Sequence, residues 1–199
     1  MIRRRGRSAR RRGRDRVAFR AFISVDLPEV GALTVLVDEL RRTGSPLKLV
    51  DLSQVHLTLK FLGDTEEPLV PRIADVIRSS VAGLKPFLVR LEGTGAFPNL
   101  RRPKVLWVGM AGAEPLVEIA RRLEAGAEPL GYPREGRAFS PHITIARLRA
   151  SGGLDAVRRV IEARTHDTFG EVLVARVRLK KSVLAPAGPV YSTVVDVPL

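Results

Sequence analysis

The chain has 199 residues, 45% of them apolar, no cysteine and a formal net charge of +13; it is long enough for one domain with a full core, and it excludes a disulfide framework or a thiolate metal site. No stretch approaches the ~18 consecutive apolar residues of a membrane-spanning helix, and the basic N-terminus lacks the apolar segment of a secretory signal, so a soluble, cytoplasmic protein is expected. The charge excess suits an anionic partner such as RNA, without pointing to a particular site.

Residues 1–16, MIRRRGRSARRRGRDR, set nine arginines against Asp15 alone. Such a segment cannot bury apolar surface and is expected to be disordered. A nucleic-acid tail, a solvated charge run without a role and an over-long reading frame that should begin at Val17 compete for it, with the last two together preferred. One domain is then expected over residues 17–199.

VAFRAFISVDLP (17–28) is rich in β-formers and stops at proline, which predicts a strand. Val30, Leu33, Val37 and Leu40 have helical spacing over 29–43, ending before Gly44. VHLTLKFLG (55–63) reads as a strand, 67–83 as a helix with Val70, Ile73, Ala74 and Ile77 on one face, and 86–92 as a strand before a Gly/Pro-rich loop over 93–103. KVLWVGM (104–110) is a strand, 114–127 a helix, PHITIARL (141–148) a strand and 153–164 a short helix. EVLVARVRLKKSVL (171–184) and YSTVVDV (191–197) read as strands around the turn APAGP. Strands alternate with helices in each half. The predicted architecture is therefore α+β, with two pseudo-symmetric lobes of similar halves, each an antiparallel sheet with helices on its outer face.

The chain holds three histidines, and two of them share a frame, HLTL at 56–59 and HITI at 142–145. On a strand His56 and Thr58 share one face while Leu57 and Leu59 take the other, and the same holds for His142 and Thr144 against Ile143 and Ile145. The apolar partners anchor each strand, and an imidazole with a hydroxyl is presented twice toward a shared cleft. Two facing imidazoles suit in-line displacement at phosphorus, one taking a proton from water and the other giving one to the leaving oxygen. The threonine hydroxyls can donate to phosphate oxygens where charge builds. A zinc site would want a third ligand and a triphosphate site a Gly-rich loop with Lys and Ser or Thr; neither is present, and no metal or cofactor is expected. His166 lacks the frame and reads as a surface or satisfied polar residue.

RAFISVDLP, HLTLKFLG, GTGAFPNLRRPKVLWVG, SPHITIARL and SVLAPAGPVYSTV together resemble the 2H phosphoesterase superfamily, within it the RNA 2',3'-cyclic phosphodiesterases first described as 2'-5' RNA ligases, from about Phe19 to the C-terminus. The resemblance implies hydrolysis of an RNA 2',3'-cyclic phosphate end to a 2'-phosphomonoester, with His56 and His142 as the acid/base pair and Thr58 and Thr144 as phosphate clamps. His142 is assigned as the base and His56 as the acid. Arg147 stands where relatives often carry Arg, but strict alternation puts it opposite His142, so phosphate contact would need a bulge or the strand end; a surface salt bridge is the alternative. Lys60 shares the face of His56 and Thr58 and is a second phosphate candidate, with a solvated lysine at the cleft edge as the alternative. Phe22, Phe97 and Tyr191 are candidate base-stacking residues, Phe22 equally a core residue, and Arg101, Arg102 and Lys104 a candidate grip on flanking phosphates. RNA is the expected partner and a monomer the expected state. Competing readings are a phosphodiesterase on 2'-5' linked oligonucleotides or small cyclic nucleotides, and an RNA-binding module without turnover.

Overall fold

The computed structural model describes residues 18–27, 31–150, 154–186 and 188–199; the Arg-rich leader and Val17 lie outside the described residues. Nine strands and four helices follow in the order β1 (Ala18–Asp26), α1 (Leu33–Arg42), β2 (Leu47–Leu49), β3 (His56–Glu66), α2 (Val70–Val81), β4 (Phe87–Phe97), β5 (Val105–Ala111), α3 (Glu114–Ala127), β6 (His142–Leu148), α4 (Leu154–Ala163), β7 (Thr168–Val174), β8 (Arg176–Ala185) and β9 (Gly188–Pro198) among the described residues.

The strands form two antiparallel sheets, sheet A in the order β3-β1-β8-β9 and sheet B in the order β2-β6-β5-β4-β7. Helices α2 and α3 lie against sheet A and each other, while α1 and α4 pair on sheet B. The helical faces follow the predicted spacing: Leu33, Val37 and Leu40 of α1 and Ile73, Ala74 and Ile77 of α2 are buried, Val70 is half-buried, and Val30 lies outside the described residues. Gly126 lets α3 approach α2 closely, since a Cβ there would stand 2.7 Å from Val76 Cγ1. Arg164, just beyond α4, clamps both Glu39 carboxylate oxygens of α1.

The α+β architecture with two sheets and outer helices is as expected, but the lobes are not the two halves of the sequence. The chain leaves sheet A after β1 to lay α1 on sheet B, and leaves sheet B after β5 to lay α3 on sheet A. The segment expected as one strand over 171–184 is two. β7 pairs with β4 at the edge of sheet B and, after Ala175, β8 pairs with β1 in sheet A. No glycine or proline marks that crossing, so an apolar run reads through it. The strand expected at 86–92 runs on to Phe97, because a register shift between Glu92 and Thr94, with Gly93 at φ 70°, keeps it paired where its glycines suggest a loop. The three-residue β2 is too short to carry a readable pattern. These crossings leave β3 and β6, which bear the two histidine motifs, in contact where the sheets meet, and a backbone bond from Val50 N–H to Ile145 O (3.0 Å) extends the pairing of β2 with β6.

Candidate active site

Both histidine strands repeat one burial pattern. From His56 to Phe61 and from His142 to Arg147 the positions run half-buried, buried, half-buried, buried, buried, exposed. The doubled buried position comes from a bulge in each strand. On β3 the register steps from Ser24 opposite Thr58 to Ile23 opposite Lys60, skipping Leu59. On β6 it steps from Trp107 opposite Thr144 to Leu106 opposite Ala146, skipping Ile145. A bulge of this kind sends two successive side chains to the same side and resets the alternation beyond it.

Two of the predicted site residues exchange faces as a result. Lys60, expected beside His56 and Thr58, turns to the helix side: it is 2% exposed, and its ammonium donates to Glu124 Oε2 of α3 at 2.6 Å and Pro133 O at 3.0 Å. It is a buried tie between β3, α3 and the loop leading to His142, and no phosphate ligand. Arg147 turns to the cleft face with His142 and Thr144, exposed, and its charge reaches His56 and Tyr191 across the gap.

The imidazoles are held alike. His56 Nδ1–H donates to Gln54 O at 2.9 Å and His142 Nδ1–H to Ser140 O at 2.7 Å, each to the carbonyl two residues back. This fixes the tautomer in which Nε2 carries the free lone pair. Each ring also rests between two aromatic rings, His56 against Phe22 and Tyr191 (both 5.0 Å between centroids) and His142 against Phe97 (4.9 Å) and Trp107 (6.4 Å). Phe22 is 4% exposed and supports His56 from below, which leaves it no open face for a base; Phe97 and Tyr191 remain at the cleft surface. Trp107 lies over glycine: a Cβ at Gly95 would stand 2.2 Å from its ring. Among the described residues, the buried side-chain atoms without a hydrogen-bond partner are Ser24 Oγ and Trp107 Nε1, on the two residues opposite the two threonines.

A charged cluster that sequence reasoning missed stands beside His56. Asp26, opposite His56 in the β1–β3 register, accepts from Arg178 and from Lys180, each at 2.6 Å, and Arg178 also pairs with Asp196. Burial pushes the Asp26 carboxyl up, but the bonds from Lys180 and Arg178 outweigh it and hold the group below the usual carboxylate range. His56 is lowered from its ordinary value, chiefly by burial and further by the charges of Lys180 and Arg147, against the opposing pull of the Gln54 carbonyl and Asp26. Its members lie far apart in the sequence, and only the pairing of β1 with β8 brings Asp26 to Arg178 and Lys180.

Arg101, Arg102 and Lys104 are exposed on a loop pinned by Asn99 Oδ1, which accepts from Arg101 N–H and Arg102 N–H (both 3.0 Å), and by Arg158, which donates to Leu100 O and Arg101 O (both 2.8 Å). His166 is exposed in the turn after α4. Among the described residues no three His, Cys, Asp or Glu side chains cluster as metal ligands would, and no helix is long and apolar enough to cross a membrane.

Two imidazoles in matching frames on two antiparallel sheets define a class of phosphoesterase scaffold, and comparison with known proteins agrees. Residues 28–182 match the 2'-5' RNA ligase superfamily, and the chain belongs to that family. It is 36% identical over 169 residues to an RNA 2',3'-cyclic phosphodiesterase of Aeropyrum pernix, covering 84% of this chain and 95% of the relative. It is 34% identical over 175 residues to one of Methanothermobacter thermautotrophicus, covering 87% and 95%. Among solved structures, TT0787 of Thermus thermophilus superposes with a TM-score of 0.77 at 34% identity over 90% of this chain and 97% of that one. E. coli LigT complexed with 3'-AMP shares the fold, with a TM-score of 0.74 at 22% identity over 92% and 99%.

Proposed function

We propose that the protein hydrolyses the 2',3'-cyclic phosphate at an RNA end to a 2'-phosphomonoester, with His56 and His142 as its acid/base pair. The observation that carries the reading is the repeated tether: each imidazole is locked by its Nδ1–H on the carbonyl two residues back and so offers Nε2, with a threonine on the same strand face. Relatives named RNA 2',3'-cyclic phosphodiesterase, 36% and 34% identical, support the substrate class.

Water attacks phosphorus as the base removes its proton, the P–O3' bond breaks, and the acid protonates the departing 3'-oxygen, leaving the phosphate on the 2'-oxygen. Thr58, Thr144 and Arg147 stabilise the charge that grows on the non-bridging oxygens. The step consumes water alone and needs neither metal nor nucleotide cofactor. The surroundings of His56 favour a split opposite to the assignment of His142 as base and His56 as acid. Burial and two cations lower the His56 pKa and so favour its neutral ring, the form a base requires, which supports His56 as the group that activates water and His142 as the group that supplies the proton. Ligation of 2'-5' ends is the reverse of a related cleavage, and hydrolysis dominates in water.

The test is incubation in EDTA and without ATP with a short RNA ending in a 2',3'-cyclic phosphate, resolving 2'- from 3'-phosphate. Clean 2'-phosphate, lost in His56→Ala and in His142→Ala, is expected. Full activity in either variant, or dependence on added metal, would overturn the reading.

A further inference from the structure

The edge strand of sheet B carries a cation that the proposed reaction does not use. Leu47 and Leu49 of β2 pack against the core, so Lys48 between them faces the other way, exposed, and in register opposite Arg147. Cross-strand partners share a face, so two positive side chains stand next to each other on the cleft side with backbones ~5 Å apart. Like charges in that position repel, and among the described residues neither Lys48 nor Arg147 has an acidic partner, whereas Arg178 and Lys180 beside His56 are paired with Asp26.

The lysine also reaches across the gap. Its Nζ lies 3.5 Å from where a Cβ on Gly188 would be, at the tip of the β8–β9 hairpin of sheet A, and Gly188 has φ 141°. Tyr191 follows on the same hairpin with its ring 5.0 Å from His56, and the Arg147 charge is felt at both Tyr191 and His56. A row of positions thus leads from the imidazole past Tyr191 and Arg147 to Lys48 at the outer end.

We infer that Lys48 holds the phosphodiester on the 5' side of the terminal nucleotide, which makes the preferred substrate an RNA oligomer with a cyclic end and not a cyclic mononucleotide. Two unneutralised cations one strand apart accommodate two phosphates, Arg147 the reacting one and Lys48 the next, and each contact releases counterions as it forms. A mononucleotide has no group to place at the Lys48 position. The inference rests on the phosphodiesterase reading and adds the length of substrate that the site measures.

The experiment compares steady-state kinetics of the full chain on adenosine 2',3'-cyclic phosphate and on a diadenosine with a 2',3'-cyclic end. Wild type is expected to favour the dinucleotide through KM. Lys48→Ala raises KM for the dinucleotide about fivefold to tenfold, Lys48→Arg restores it, and neither changes turnover of the mononucleotide, which also reports that the variant is folded. The dependence of log kcat/KM on log salt for the dinucleotide becomes shallower in Lys48→Ala by about 0.7, the loss of one phosphate contact to a single strand. Equal effects of Lys48→Ala on both substrates, or none on either, overturn the inference while leaving the reaction in place. If wild type turns over neither substrate, the phosphodiesterase reading itself falls, and the inference with it.

Discussion

The half of the site on sheet A and the half on sheet B have one backbone and two environments. Both present His, then Thr, then a bulge, then an exposed residue, and both tie the imidazole to the carbonyl two residues back. Around that frame the neighbours diverge. Asp26 stands opposite His56 where Gly109 stands opposite His142, Ser24 answers Trp107, and Phe61 occupies the place of Arg147. Both histidines sit among aromatic rings, but sheet A adds half-buried, mutually paired charges, Asp26, Arg178 and Lys180, whereas on sheet B the neighbouring Arg147 has no acidic partner among the described residues. The duplicated frame presents two imidazoles tethered alike, and the unlike surroundings lower the His56 pKa and so favour its neutral form, which is the basis of the proposed split of roles.

The frame is where damage is expected to be largest. His56→Ala and His142→Ala should each lower kcat about 10²–10⁴-fold, and the double variant should lie near the worse single one, because the two act in one step. Thr58→Val and Thr144→Val keep the shape and remove a donor, with an expected loss of about 10²-fold in kcat. A double histidine variant whose loss is the product of the singles would mean that the two groups act independently, and the comparison between halves would lose its mechanistic content.

Smaller effects follow from features particular to one half. Gly95→Val would drive a side chain into the Trp107 ring, a contact of 2.2 Å already at Cβ. The ring carries its neighbours Phe97 and His142 with it, and a cost of about 1–3 kcal/mol is expected from the forced repacking. Trp107 is the only tryptophan, so its fluorescence reports the shift directly. The corresponding position beside Ser24 on sheet A is Arg178, not a glycine. An unchanged emission spectrum with unchanged activity would show that sheet B does not depend on the ring for the placement of His142.

Much of this was legible in the sequence because it is local. The histidine frame, the helical faces of α1 and α2 and most strand positions follow from period and from residue type at one site. The bulges are not local: they exist only relative to β1 and β5, and without them strict alternation sends Lys60 into the cleft and Arg147 out of it. The same reason hid the Asp26 cluster, assembled from β1, β8 and β9, and the break at Ala175 between sheets. Lys60→Met tests the reassignment. It removes the donor to Glu124 and Pro133 O, and it should cost about 1–3 kcal/mol of stability, or several degrees in Tm. Activity measured well below the transition should stay within about twofold. A rise in KM with stability intact would return Lys60 to the phosphate.

The pH profile carries the subtlest comparison, because it asks which half holds the base. Lys180 opposes protonation of His56 and Asp26 favours it. Lys180→Met removes a positive neighbour and leaves Asp26 bound by Arg178 alone, and both changes raise the His56 pKa. If His56 is the base, its neutral form then becomes scarcer on the acidic side, and the acid limb of kcat/KM against pH moves to higher pH. Asp26→Asn removes the negative neighbour and should move the same limb to lower pH. Opposite displacements from two residues that touch each other are the signature of local electrostatics; loss of packing would depress the whole profile without moving it. If the basic limb moves instead, His56 is the acid, the assignment of His142 as base returns, and the unlike surroundings of the two halves serve leaving-group protonation.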